Sequence, residues 1–193
     1  MYVIFFGPPG VGKGTQALII AERMGWEHIS TGDMLRAHVR EGTELGRKAQ
    51  EYMQKGLLTP DELVIDMFLD RLRQIGNRGF VLDGFPRTLP QAEALDAALA
   101  RSGRSIDLAI HITAPDDVLM ERMMGRAAEQ ARADDTPEAM RTRLEVQKPP
   151  AELLDHYRRA GKLKDVDGRP PVAEVTEAIV EALGVGADPQ GAR

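Results

Sequence analysis

Gly7-Pro8-Pro9-Gly10-Val11-Gly12-Lys13-Gly14-Thr15 follows the apolar run Tyr2–Phe6 and leads into a stretch of helical periodicity. The glycines therefore stand between a strand and the first turn of a helix, the setting in which a glycine-rich loop binds phosphate. Glycine reaches φ > 0 and carries no Cβ, so several backbone N–H groups can turn toward one anion. The helix N-terminus adds partial positive charge, and Gly10 and Gly12 let the chain pass close to the phosphates. Lys13 brings a full charge to the β- and γ-phosphates of a nucleotide. The strict pattern sets Ser or Thr directly after the lysine, whereas here Gly14 intervenes and Thr15 comes one place later. Thr15 is expected to meet a magnesium ion through water. An ordinary strand-to-helix turn gives no reason for Gly, Gly, Lys and Thr at these four spacings.

Working outward, apolar runs at residues 79–83 and 108–113 repeat the strand-then-helix pattern, with weaker strands at 27–29 and 163–166. Strands alternating with helices imply an α/β fold: a five-stranded parallel sheet flanked by helices in three layers. Ser30 or Thr31 caps a helix through Arg40, Pro137 or Glu138 opens one that ends near Gln147, and another begins at Ala151. Thr59-Pro60-Asp61-Glu62 reads as a threonine cap, a proline at the first helical position and a glutamate closing a capping box, with its helix running to Ile75. Residues 184–193 have the glycine, proline and small-residue content of a frayed tail. The run ending in Asp83 places a carboxylate at a strand terminus, where a phosphate-loop protein orients magnesium and its waters.

The 193 residues suffice for one compact core, and 42% hydrophobic with 28% charged residues is ordinary for a globular chain. A net charge of −5 gives no long-range pull toward nucleic acid, so anion binding must come from local arginine clusters. The first apolar run is too short for a signal or a membrane span. The absence of cysteine suits a reducing cytoplasm. His28, His38, His111 and His156 have no metal-like spacing and read as surface or packing residues.

Four further segments stand in order after the loop: residues 30–36 (STGDMLR), 56–62, 83–91 (DGFPRTLPQ) and 122–143. With the loop they resemble the adenylate kinase family among the nucleoside monophosphate kinases, over nearly the whole chain. The resemblance implies transfer of the γ-phosphoryl of magnesium-ATP to AMP, giving two ADP. It also implies a core of residues 1–29, 60–121 and 136–184, an AMP-binding subdomain at 30–59, a short lid at 122–135 and a flexible tail at 185–193. Only five residues separate Arg126 from Arg132, too few for the long zinc-binding lid of some members.

On that resemblance, Arg36 and Arg87 hold the AMP phosphate as guanidinium forks. Thr31 and Gln91 face the AMP adenine, Met53 and Leu58 supply apolar walls, and Gly84 lets the chain pass close. Arg122 packs on the donor adenine beside backbone groups near Gly168 and Pro170. Arg126, Arg132 and Arg143 are the lid cations that close over the transferring phosphoryl group, with Lys13 and Arg87 completing the catalytic set. Asp134 and Asp135 serve the lid as hinges or arginine partners. The chain is expected to act as a monomer on ATP, AMP and ADP, with neither nucleic acid nor membrane as partner.

Nineteen of the 25 basic residues are arginine, so a lone arginine reads as a solvated helix charge, and only motif membership lifts the five above. After Leu144 the sequence departs from the family's usual tyrosine and Thr-x-Pro-Leu, reading Glu145-Val146-Gln147-Lys148-Pro149-Pro150. That leaves the aim of Arg143 open. Two rival readings stand beside the first. A UMP/CMP kinase shares the core and the arginines but tends to have alanine where this chain has Thr31. A phosphate-loop regulatory switch of the GTPase kind needs an Asn-Lys-x-Asp segment, which this sequence lacks.

Overall fold

A computed structural model describes residues 1–130 and 136–185. Five strands form one parallel sheet: β1 (Tyr2–Phe6), β2 (Glu27–Ser30), β3 (Phe80–Asp83), β4 (Leu108–Thr113) and β5 (Leu163–Asp167), in the spatial order β2-β3-β1-β4-β5. Among the described residues the helices are α1 (Lys13–Met24), α2 (Thr31–Glu41), α3 (Glu44–Gln54), α4 (Asp61–Ile75), α5 (Leu89–Ala100), α6 (Asp116–Gln130), α7 (Pro137–Val146), α8 (Ala151–Arg159) and α9 (Val172–Leu183).

Side chains alternate across a strand, so each apolar run must feed both faces of the sheet. Ile4 and Phe6 of β1 join Phe80 and Leu82 of β3 in one core, covered by α4, α5 and α8 through residues such as Phe68, Leu95 and Tyr157. Val3 and Phe5 point the other way, with Val81, Ile110 and Ile112, under α1, α6, α7 and α9. The sheet is thus buried on both faces, as an all-parallel sheet requires. Each fully buried Phe, Ile or Leu contributes on the order of 1.5–3 kcal/mol. Parallel strands bring all their C-terminal ends to one edge, and β1 sits at the centre, so the loop after Phe6 opens at the middle of that edge.

The strands fall where the apolar runs predict them, within one residue at each end. Ser30 caps α2 by accepting from Asp33 N at 3.2 Å, and Thr136 caps α7 by accepting from Ala139 N at 3.2 Å. The capping box expected at Thr59 does not form. Pro60 takes the cap position itself, at φ −51° and ψ 139°, and no side chain caps α4. Thr59 lies one place too early, and it is buried at 6% exposure facing the cavity described below. No helix among the described residues is long and apolar enough to cross a membrane.

Candidate active site

The phosphate loop ends where Gly12, at φ 98°, caps α1, so the helix proper begins at Lys13. Gly10 takes φ 84°, and a Cβ there would come within 2.6 Å of Leu119 O and 2.9 Å of Met123 Cγ on α6. Glycine is therefore needed for the close approach of loop and helix as well as for the turn. Lys13 folds back over the loop and donates from Nζ to Pro8 O at 2.8 Å. Burial pushes its pKa down to about 8; Asp83 opposes that shift, while Arg87 and Arg126 reinforce it.

Asp83 closes β3 and lies in register with Phe5 of β1 and Ser30 of β2. Its Oδ2 is 3.1 Å from the point a Cβ at Gly14 would occupy. The glycine in the usual Ser/Thr place thus leaves room for the carboxylate, with Thr15 in the same cavity one residue on. Magnesium takes one or two carboxylates and keeps several waters when it rides on phosphates, and Asp83 with Thr15 fits that donor set. Among the described residues no three His, Cys, Asp or Glu side chains group to cage a metal.

The turn after β3 is pinned by Phe85, which stacks on Phe68 of α4 at 4.2 Å between ring centroids; such pairs add about 0.5–1.5 kcal/mol beyond burial. A cis Phe85–Pro86 bond follows, then Arg87. Arg87 donates from Nε to Gly84 O at 2.9 Å and from Nη1 to Gln147 Oε1 at 2.7 Å. Burial lowers its pKa, Asp83 counteracts this, and Arg143 and Arg36 add to the lowering. Three guanidinium groups therefore share this end of the cavity with the Asp83 carboxylate. Arg143 is 8% exposed, and Arg36 pairs with Asp33. Thr31 donates from Oγ1 to Gly84 O at 2.8 Å. Gln91 is held on both sides of its amide, accepting from Arg87 N and donating to Asp61, each at 2.7 Å.

The sequence marks Gln147 as a site residue only through the departure from the family pattern after Leu144. Besides accepting from Arg87, it donates from Nε2 to Gly56 O at 2.6 Å. Gly56 itself, at φ 71°, lies so close to α7 that a Cβ would sit 2.4 Å from Ala139 O. The altered segment thus ties the turn after α3 to the arginine of the turn after β3. Gln147→Ala is expected to weaken the binding of a phosphate group at Arg87 about three- to tenfold, the scale of one lost hydrogen bond, as read by ligand titration.

At the other end Arg122 donates from Nη1 to Gly168 O at 2.8 Å and from Nη2 to Arg169 O at 3.2 Å, and reaches Val11 O at 3.5 Å. It therefore couples the phosphate loop to the turn after β5. Gly168 is confined there, since a Cβ would lie 2.7 Å from Ile112 Cγ2. Arg126, Met53, Leu58, Gly84 and Pro170 line the same cavity. Arg132, Asp134, Asp135 and the tail from residue 186 lie outside the described residues.

The cavity holds about 1290 Å³, more than the roughly 300–1,000 Å³ of a single small-molecule site. Among the described residues its lining carries Lys13, Lys148 and six arginines against Asp33 and Asp83, in a chain of net charge −5. Such segregation of positive charge in a cleft selects for polyanions of small size.

A space of this size, with one phosphate loop and cations at both ends, defines the class: a P-loop phosphotransferase that passes a phosphoryl group between two bound molecules. A family model described as adenylate kinase matches residues 5–162. The adenylate kinase of Lachnospira eligens is 44% identical over 213 aligned positions, covering 95% of this chain and all of the relative. That of a Caulobacter species is 47% identical over 187 positions, covering 96% and 99%, and that of a Cyanothece species 46% over 179, covering 92% of each. The chain belongs to the adenylate kinase family.

Proposed function

We propose that Lys13, Arg87, Arg126, Arg132 and Arg143 carry out the family's reaction in this chain, the reversible transfer of a phosphoryl group from ATP to AMP that yields two ADP. The observation that supports this reading is the convergence of Lys13, Arg36, Arg87, Arg126 and Arg143 on the cavity that Asp83 also lines. Phosphoryl transfer through a loose transition state demands alignment and positive charge and needs no covalent intermediate.

The phosphate loop, through Gly10, Gly12, Gly14 and Thr15, holds the ATP phosphates against α1. Arg122, Gly168 and Pro170 form the donor-base side, and Arg126 reaches the phosphates. AMP lies at the opposite end, its phosphate on Arg36 and Arg87 and its base among Thr31, Met53, Leu58, Gly84 and Gln91, and Arg132 and Arg143 serve as lid cations for the transferring phosphoryl group. Asp83 and Thr15 would hold magnesium through its waters, and the ion would supply positive charge to balance the phosphates. Residues 30–59 move as the AMP-binding subdomain, and residues 122–135 act as a short lid that excludes water. The Lachnospira alignment spans 213 positions against the 193 residues here, so that relative carries residues without a counterpart in this chain. The absence of cysteine and the plain surface composition favour a cytoplasmic monomer.

Offering magnesium-ATP with AMP, UMP, CMP or GMP separately, and separating products by nucleotide chromatography, tests the assignment. ADP forming with AMP as the preferred acceptor is the expected result. Preference for UMP or CMP would overturn the reading of Thr31 and Gln91, and hydrolysis of ATP independent of acceptor would overturn the kinase roles.

A further inference from the structure

Asp61 opens α4 and was expected to sit inside a capping box that does not form. Its carboxylate instead accepts two hydrogen bonds from the start of α5: from the cap residue Thr88 Oγ1 at 2.7 Å and from Gln91 Nε2 at 2.7 Å. The other end of the Gln91 amide accepts from Arg87 N at 2.7 Å. Gln91 is 2% exposed and lines the cavity.

A glutamine amide can present its oxygen and nitrogen in either order, and only its partners decide which. Here both partners are of fixed type. A backbone N–H donates and cannot accept, so it demands Oε1; an ionised carboxylate accepts and cannot donate, so it demands Nε2. The two ends agree, and the amide is held in one orientation. Each amide atom keeps one further site, a lone pair on Oε1 and a hydrogen on Nε2, in an order set by Asp61 and Arg87.

From this geometry we infer that Asp61 is a positioning residue that sets the base specificity of the acceptor site by fixing the orientation of Gln91; the inference rests on the proposed role of Gln91 at the AMP base. Adenine places the N6 amino donor beside a ring-nitrogen acceptor on either of its edges, which matches an oxygen beside an N–H in fixed order. Hypoxanthine and guanine carry O6 in place of the amino group, so that acceptor meets Oε1 and the match fails. Correcting it requires turning the amide, which would leave both the Asp61 carboxylate and the Arg87 N–H facing groups of their own kind. Sites built on such committed polar groups discriminate strongly, because the wrong substrate leaves them unpaired.

IMP differs from AMP only where this reading is made, so the test is kcat/KM for AMP and for IMP at saturating magnesium-ATP. Asp61→Ala removes the acceptor and is expected to lower the AMP-to-IMP ratio about tenfold, through KM rather than kcat. Asp61→Asn keeps an oxygen for Gln91, because the Thr88 hydroxyl can turn to accept from the new amide, and its ratio is expected to stay within about threefold of the parent. Asp61→Ser, too short to reach Gln91 but well tolerated at a helix start, carries the same expectation as alanine should that variant fold poorly. A merely structural role for Asp61 would lower activity with both acceptors equally and leave the ratio unmoved, which overturns the inference. Gln91→Ala separates the two levels. If it lowers the ratio while Asp61→Ala does not, only the orienting role of Asp61 fails; if it too leaves the ratio unmoved, Gln91 does not read the base and both fall.

Discussion

Lys13→Met is expected to lower kcat by about 10³-fold with the fold retained, since one charged group aimed at the transferring phosphoryl is worth that much in comparable sites. Methionine keeps the length of the side chain and its packing over the loop, and loses only the ammonium and its bond to Pro8 O. Rapid-quench turnover and a thermal melt of the same sample separate the two effects. The pH dependence gives a second reading of the same group. The folded-state pKa of Lys13 lies at about 8, below its ordinary 10.5, because burial disfavours the charge. Between those values the unfolded chain holds a proton that the folded chain has released, so the stability of the parent relative to Lys13→Met should rise with pH across that window. Below about pH 8 both states are protonated and the difference is flat. Activity runs the other way: kcat/KM for ATP in the free enzyme should fall above about pH 8, as the neutral amine ceases to balance phosphate charge. A melt difference that falls with pH in the window would contradict the buried-ammonium account.

Arg87→Lys should be nearly as damaging although it keeps the charge. The guanidinium of Arg87 donates at once to Gly84 O and Gln147 Oε1, and presents the rest of its fork to the cavity. An ammonium is a point charge that cannot hold two fixed protein acceptors and a phosphate in one plane. The expected loss in kcat/KM for AMP is about 10²–10³-fold, with KM for ATP changed little. A variant within a few-fold of the parent would mean that Arg87 contributes charge alone.

The inner strands β1, β3 and β4 were legible in the sequence because each feeds two cores, leaving apolar runs that no solvated segment would carry, whereas the edge strands β2 and β5 bury one residue each and left weaker runs. The phosphate loop was legible because backbone geometry imposes glycine at fixed places. Helix α3 was not separately legible within 30–59: its buried residues are Gly46 and Ala49, too small to draw an apolar stripe. The capping box at Thr59 was misread because proline at position 60 fits equally the first helical residue and the cap, and local pattern does not reveal that Thr59 is buried against the cavity. The contacts of Asp61 and Gln147 escaped for a different reason. Both join segments distant in the chain, 30 residues apart for Asp61 and Gln91, 60 for Gln147 and Arg87, and no local propensity encodes such a pairing.

The contact at Gly56 sets a limit on how this chain can change over evolutionary time. Where two side chains crowd each other, a substitution on one can be answered by trimming the other, so lineages can exchange one pair for another. Across Gly56 the opposing atom is a backbone carbonyl oxygen, that of Ala139, which every residue type carries. No second change on α7 can shorten it. Drift at this position is therefore repaired by reversion and not by compensation, while the solvent-facing residues around it remain free to vary.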